Sequence, residues 1–179
     1  MNLILRFILI LIKCIRAPRI HLLQESHLTF HCLPTDCDIN LHMTNSRYLS
    51  FMDLGRLYYS AQVGVAKLFF KQKWVGVINA IELTFIRPIN PFQKFSLITK
   101  ILAWDEKYYY FEQKFIAGRT LCAVALVRGV FLHHGKKVPM SKIQEITGEQ
   151  IAPPEFPPML QHWKDLMELK KAEHSSNQS

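Results

Sequence analysis

The sequence predicts an α+β fold in which an antiparallel sheet wraps around one long central helix, flanked by an apolar N-terminal helix and a C-terminal helix. Two observations predict the central layers. Apolar residues recur at three- and four-residue steps after residue 45, as on one face of a helix. Runs rich in β-branched and aromatic residues then follow between residues 75 and 133, separated by short polar junctions.

The composition is that of a single compact domain. The chain has 179 residues, of which 49% are hydrophobic and 20% charged, so it can bury a core and is not globally disordered. The net charge of +8 suits an anionic partner such as nucleic acid, an acidic membrane or the phosphates of a coenzyme. The basic residues are dispersed, without the aromatic and basic interleaving of a nucleic-acid module, so we expect no nucleic-acid partner. The four cysteines form no C-x-x-C pair, which indicates reduced thiols in a cytosol-facing protein.

The N-terminal segment, residues 1–19, differs from the rest of the chain. Leu3–Ile12 is apolar except for Arg6, and a helix from Leu3 to Ile15, roughly 20 Å long, is too short for a hydrocarbon core about 30 Å thick. On a helix, Arg6, Lys13 and Arg16 share one sector, which leaves a broad apolar face. This pattern predicts an interfacial helix with its basic stripe toward lipid headgroups, so that residues 3–16 attach an otherwise cytoplasmic protein to a membrane surface. The alternative is a helix that packs on the protein's own core or across a dimer contact.

The central helix follows a strand and a loop. His27–Leu33 is strand-like and stops at Pro34, and the segment up to Asn45 is a polar loop. From Asn45 the pattern is helical, with Asn45 or Thr44 as the N-cap, and Gly64 separates this helix from a shorter one. The residues that recur on one face of the helix are Tyr48, Leu49, Met52, Gly55, Arg56 and Tyr59.

Strand-like runs make up the second half of the chain. The junctions between them are short enough for hairpins or near-hairpins, which predicts that each strand lies antiparallel to the next one. The runs are Val75–Ile86, Phe95–Trp104, Tyr108–Ile116 and Leu121–His133.

The C-terminal part predicts one more helix. The Pro-rich stretch Pro153–Pro158 leads to a helix around Met159–Lys171, and residues 172–179 form a polar tail. A strand, one long helix and a series of antiparallel strands is the element order of a hotdog fold, which we expect over residues 20–171. A single helix leaves part of the sheet uncovered, so a homodimer is the natural completion.

A polar motif lies between the first strand and the central helix. Asp38, Asn40 and His42 stand at alternate positions, so in an extended loop their side chains share one face. The helix start offers unpaired N–H donors that can stabilise the negative charge of an acyl-transfer intermediate. This combination indicates hydrolysis of an acyl bond, and the alternative is an Asx-rich loop that merely caps the helix. The neighbouring Asp36 is interpreted as a turn former.

The motif Asp-x-Asn-x-His-x-x-Asn-x-x-Tyr, which begins at Asp38, resembles the catalytic segment of hotdog-fold acyl-ACP thioesterases. More loosely, it resembles that of the 4-hydroxybenzoyl-CoA thioesterase superfamily. The span from Phe30 to Trp163 is similar to the thioesterase-superfamily-member-6-like proteins. The stretches that carry this similarity are Asp36–Gly55, Leu102–Tyr108 with Phe111, Pro153–Pro157 and Leu160–Trp163.

The resemblance implies an acyl-CoA or acyl-ACP thioesterase. Asp38 matches the catalytic aspartate, a nucleophile or a general base for water, while Asn40 and His42 would orient the attacking group or donate to the oxyanion. Substrate binding falls to Tyr48 and to Thr44–Ser46, whose amides would hold the oxyanion. We expect no metal and no separate cofactor, since coenzyme A or the carrier protein enters with the substrate. The alternative is a catalytically inactive hotdog module that binds an acyl group or a protein partner.

Overall fold

The computed structural model describes residues 2–148 and 151–176, and it confirms the α+β hotdog fold, a curved antiparallel sheet packed around a long helix. The helices of the described residues are α1 (Asn2–Ile15), α2 (Asn45–Gln62), α3 (Ala66–Lys71), α4 (Met140–Thr147) and α5 (Pro158–Ser176). The strands are β1 (Ser26–His31), β2 (Trp74–Phe85), β3 (Lys94–Trp104), β4 (Tyr109–Ala117), β5 (Thr120–His133) and β6 (Lys136–Val138).

Helix α2 is the predicted central helix and packs against β1 and β3. The ring of Phe51 lies 4.8 Å from that of Phe30 in β1, measured between centroids. At Gly55 the helix approaches the sheet so closely that a β-carbon would lie 2.6 Å from the Leu97 side chain, which explains a glycine in mid-helix. Leu49, which the spacing predicts on the same face, is 40% exposed because it falls just outside the buried arc. The buried residues of α2 are Tyr48, Phe51, Met52, Leu54, Gly55, Arg56, Tyr59 and Gln62.

The sheet has the order β1-β3-β4-β5-β2, and each neighbouring pair is antiparallel. The hairpin prediction is confirmed for β3–β4 and β4–β5 but is wrong for β2 and β3. Both sides of β3 are occupied by β1 and β4, so β2 pairs with β5 at the far edge. The connection between β2 and β3 is fixed by the buried Ile89, whose carbonyl accepts the Met43 N–H at 2.8 Å. The edges of this strand order are β1 and β2.

Two elements beyond the prediction follow β5. The strand β6 pairs with the end of β5, and α4 begins two residues later. Both are short, so they carry too little periodicity to be recognised from the sequence.

Helix α5 continues to Ser176 and packs Leu160 against Tyr110, in a second hydrophobic cluster that is smaller than the main core. The first part of the predicted polar tail is therefore helical, and residues 177–179 lie outside the described part.

Helix α1 confirms the predicted N-terminal helix, but the orientation expected for Arg6 is wrong. The helix lies against α2, with Ile10 buried in the main core. Arg6 faces the protein and is only 11% exposed, because it forms an ion pair with the buried Asp36. Lys13 and Arg16 remain exposed, as predicted. In the described part of the chain, no helix combines the length and apolarity needed to cross a membrane. The exposed apolar residues of α1 are Leu3, Ile4, Leu5, Phe7, Ile8, Leu9, Ile12 and Ile15.

Candidate active site

Backbone hydrogen bonds join the two ends of the loop between β1 and α2, and we call this closure the neck of the loop. The Asp36 carbonyl accepts the N–H of Thr44, the N-cap of α2, at 2.9 Å. Immediately inside this bond, Cys37 and Met43 form an antiparallel bridge. The segment 38–42, which contains three of the predicted site residues, is thereby held as a protruding loop at the start of the central helix.

Within this loop Asp38 and His42 are brought together. Asp38 Oδ1 accepts the main-chain N–H of Asn40 at 2.9 Å and lies 3.6 Å from His42 Nδ1. The same two residues are also joined through the backbone, since the Asp38 N–H donates to the His42 carbonyl at 3.0 Å. Leu41 completes the turn in the left-handed region, with φ of 57°. Asn40 therefore joins the cluster through its amide, while its side chain is exposed.

The Asp38 carboxylate is accessible for chemistry. Its side chain is 34% exposed, and its hydrogen bonds within the described ranges involve Oδ1, which leaves Oδ2 available to a bound group. A carboxylate beside an imidazole can accept a proton from water or attack a carbonyl carbon, with the imidazole orienting the reacting group. The hydrogen bond from Asn40 shows that the loop also has the Asx-turn geometry of the alternative interpretation.

A cleft adjoins this pair, and we call it the His42 cleft. Its volume is about 240 Å³, and its wall includes His42 but not Asp38. The buried Tyr48 is one of the lining residues, with its ring centroid 5.0 Å from that of Phe85. Burial raises the pKa of Tyr48 to about 12, further above neutral pH than its ordinary value. The lining residues are His42, Met43, Asn45, Tyr48, Phe85, Ile86, Arg87 and Pro88.

The first turn of α2 supplies the N–H donors. Thr44 makes no side-chain capping bond to the helix, and its hydroxyl lies 3.0 Å from that of Ser46. Its own amide is already bonded to Asp36, so it is not a free oxyanion donor. Helix geometry leaves the following amides, those of Asn45 and Ser46, without acceptors in the helix. Asn45 also lines the His42 cleft.

A second cavity, which we call the Arg56 cavity, lies between the middle of α2 and the other half of β2. Its volume is about 350 Å³, and Asp53, Arg56 and Ser60 supply its polar residues. Burial lowers the pKa of Arg56, while the adjacent Asp53 opposes this effect. The cavity shares Ser60, Tyr109, Phe111 and Phe131 with a smaller apolar cavity of about 20 Å³. The remaining lining residues of the Arg56 cavity are Leu57, Trp74, Val75, Gly76 and Ile78.

Two features of this region are missing from the sequence-based prediction. Phe85 to Pro88 form a wall of the His42 cleft, although β2 is remote from the motif in the chain. Asp36, interpreted as a turn former, is 1% exposed and forms ion pairs with Arg6 and Arg47. A lone arginine within the apolar run of α1 is the sequence signal that could have indicated a buried acidic partner.

In the described part of the chain, no group of three or more acidic, cysteine or histidine side chains could hold a metal ion.

Comparison with known proteins identifies similar chains. Residues 32–164 match the sequence profile of the thioesterase-like superfamily. Protein THEM6 of Xenopus laevis is 28% identical over 144 residues, which cover 79% of this chain and 68% of that protein. The probable thioesterase YBR096W of Saccharomyces cerevisiae is 32% identical over 115 residues, covering 62% of this chain and 49% of the yeast protein. Among solved structures, the 1,4-dihydroxy-2-naphthoyl-CoA thioesterase Slr0204 from Synechocystis is similar with a TM-score of 0.61 and 10% identity. That similarity covers 69% of this chain and 95% of the Synechocystis chain.

Proposed function

The chain belongs to the thioesterase-like superfamily, and we propose that it hydrolyses acyl thioesters of coenzyme A or acyl carrier protein, with Asp38 as the reacting carboxylate. One observation carries the proposal. Asp38 and His42 lie 3.6 Å apart just before α2, and His42 lines a cleft together with apolar residues such as Phe85 and Ile86. An imidazole at the cleft, a carboxylate beside that imidazole and the amides of the helix start are the groups that acyl transfer needs.

Asp38 can act in either of two ways. As a general base, Asp38 takes a proton from water as the water oxygen attacks the thioester carbon. The C–S bond then breaks, and the leaving thiolate takes that proton back from Asp38, which releases the acid and the thiol and restores the carboxylate. As a nucleophile, Oδ2 attacks the same carbon and expels the thiolate, which takes a proton from solvent. Water then hydrolyses the mixed anhydride and restores the carboxylate. His42 orients the attacking group in both routes.

The oxyanion is assigned to the first turn of α2. The carbonyl oxygen of the thioester gains negative charge during the attack. The amides of Asn45 and Ser46, at the positive end of the helix dipole, would donate hydrogen bonds to this oxygen. Loss of one such donor typically raises a barrier by about 2.7–4 kcal/mol. Thr44 supports this arrangement indirectly, because its amide holds the neck of the loop.

A homodimer would join the two cavities. The edge strand β2 exposes Val75, Val77, Ile81 and Phe85, which suits pairing with β2 of a second copy. Antiparallel pairing about a twofold axis sets the first half of one β2 beside the second half of the other. The Arg56 cavity adjoins the first half of β2 and the His42 cleft its second half. We therefore propose that the acyl group occupies the Arg56 cavity of one protomer while Asp38 of its partner attacks the thioester.

The carrier and the membrane contact are assigned from charge and exposure. Arg87 is exposed at the wall of the His42 cleft, where it suits a coenzyme A phosphate or an acidic carrier protein.

The outer face of α1 is apolar and is followed by the exposed Lys13 and Arg16, a combination that suits an anionic membrane surface. We propose peripheral attachment through residues 3–16, close to the bilayer into which long-chain products would partition.

The decisive experiment is an assay of thiol release from acyl-CoA esters of increasing chain length. Asp38→Asn should lower kcat by about 100-fold or more, since general acid–base groups contribute at least that factor. The matched control is Asp165→Asn, which removes an exposed carboxylate from α5 and should leave the rate unchanged. Full activity of Asp38→Asn would remove Asp38 from the mechanism. Saturable acyl-CoA binding without product by the unaltered protein would favour the inactive binding module.

A further inference from the structure

The buried carboxylate of Asp36 joins three parts of the chain. Its Oδ2 accepts hydrogen bonds from Arg6 Nη2 at 2.8 Å and from the Leu33 N–H at 2.9 Å. Its Oδ1 lies 3.4 Å from Arg47 Nε in the first turn of α2. Its carbonyl accepts the Thr44 N–H that closes the loop around Asp38. The position of Asp36 therefore fixes both ends of that loop.

Arg6 makes a shorter contact with this carboxylate than Arg47 does. The guanidinium also donates to the His31 carbonyl at 3.0 Å and stacks over Phe51 of α2, 4.6 Å from its centroid. Arg6 is 11% exposed and Asp36 is 1% exposed, so the pair is shielded from water. Arg47 is more exposed, at 27%, and bonds in addition to the Thr35 carbonyl. A buried carboxylate that loses its cation is strongly destabilised where it stands.

We propose that Arg6 is a positioning residue for the Asp38–His42 pair, which makes helix α1 a structural part of the active site. This inference rests on the proposed function. Arg6 acts through Asp36, two residues before Asp38, and through the Asp36–Thr44 bond that shapes the loop. Without Arg6, the Asp36 carboxylate rotates or moves toward solvent, the neck of the loop loosens and Asp38 loses its alignment with His42, which lines the cleft. A displacement of about 1 Å of a catalytic group is sufficient for a 100-fold loss of rate.

The test compares Arg6→Met with Arg119→Met, which removes an exposed arginine from the turn between β4 and β5. For Arg6→Met we expect kcat to fall at least about 10-fold with KM within about threefold, because positioning affects the chemical step rather than binding. Arg6→Lys, which keeps the charge but not the fork, should recover part of the loss. Arg119→Met should match the unaltered protein. A kcat of Arg6→Met within twofold of Arg119→Met would overturn the proposal.

A second readout does not depend on thioester hydrolysis. Amide hydrogen exchange over residues 37–43 should accelerate in Arg6→Met, whereas exchange in β4 and β5 should stay the same. Unchanged exchange over 37–43 overturns the coupling between α1 and the loop, whether or not the protein hydrolyses thioesters. If the unaltered protein shows no turnover, accelerated exchange still supports the coupling, and only the proposed function fails. If Arg6→Met does not fold, the double variant Arg6→Met/Asp36→Asn, which removes both charges, is judged by the same two measurements.

Discussion

The ring of Tyr109 in β4 lies directly over Gly129, its partner across the ladder in β5. A β-carbon at Gly129 would lie 2.4 Å from three atoms of Tyr109, far inside van der Waals contact. Tyr109 is buried and is shared by the Arg56 cavity and the apolar cavity behind it. The glycine therefore makes room for an aromatic ring that shapes the proposed acyl site.

Gly129→Ala should destabilise the protein by about 1–3 kcal/mol, because the rigid ring or the strand must shift to admit the methyl group. The measurement is the free energy of unfolding in urea. Gly76→Ala is the matched control, since its β-carbon would meet Tyr109 only at 3.5 Å, an ordinary contact distance. Equal stabilities for the two variants would contradict this account of Gly129.

The two faces of α1 predict opposite effects of substitution. Ile12 is 57% exposed, so Ile12→Asp should weaken binding to anionic phospholipid vesicles and leave the free energy of unfolding unchanged. Ile10 is 2% exposed, so Ile10→Ala should lower stability by about 2–5 kcal/mol and leave vesicle binding intact. Vesicle flotation and urea unfolding of both variants check these outcomes. Absence of vesicle binding by the unaltered chain would rule out the membrane contact.

If each active site combines Asp38 of one protomer with the Arg56 cavity of its partner, two inactive variants should complement each other. Asp38→Asn removes the reacting carboxylate, and Ser60→Trp fills the Arg56 cavity, so each homodimer should be inactive. A mixed dimer combines Asp38 of one protomer with the open cavity of the other. About half of the sites in mixed dimers should then regain activity, as expected for twofold symmetry.

The measurement is thioesterase activity after the two variants are unfolded and refolded together. Each variant refolded alone is the control for spontaneous recovery. Activity that stays at the level of the separate variants, although mixed dimers have formed, would place Asp38 and the acyl cavity in the same protomer.

The free energy of unfolding should depend on pH through Asp105, which lies in the turn between β3 and β4. Burial by itself would raise the pKa of Asp105, but hydrogen bonds from the Lys107 and Tyr108 amides and from Lys164 of α5 lower it below its ordinary value. A lowered pKa stabilises the folded state at pH values above the ordinary carboxyl pKa of about 3.9. This contribution is lost as the pH falls through the lowered value.

The measurement is the free energy of unfolding between pH 6 and pH 2. The difference between the unaltered protein and Asp105→Asn should be largest above about pH 5 and should shrink toward pH 2. Glu106→Gln, an exposed neighbour in the same turn, is the control. A difference that does not vary with pH would show that the ionised carboxylate is not what stabilises the turn.

Local features were readable from the sequence because their causes are local. The helical spacing from Tyr48 to Tyr59 depends on one face of one helix, and the strand runs depend on residue types in short windows. The sequence pattern grouped Asp38 with His42 as alternate residues of an extended loop. The structure brings the two side chains together across a tight turn instead, with Leu41 in the left-handed region.

Pairings between distant segments were not readable in this way. Arg6 and Asp36 stand 30 residues apart, and their contact depends on where α1 packs. The sequence indicated that Arg6 lies with Lys13 and Arg16 in a basic stripe facing lipid headgroups, whereas the structure turns Arg6 inward because a buried carboxylate needs a cation. The pairing of β2 with β5 likewise followed from the occupied sides of β3 rather than from loop length.

The sequence by itself determined the central helix, the strands β1 to β5 and the position of the acidic motif just before α2. Only the tertiary structure decided which strands form the edges of the sheet, which cavities adjoin β2 and which cations neutralise Asp36. The physical reason is that periodicity and capping act over a few residues. Sheet order and buried ion pairs are instead set by which surfaces remain unoccupied once the whole chain has packed.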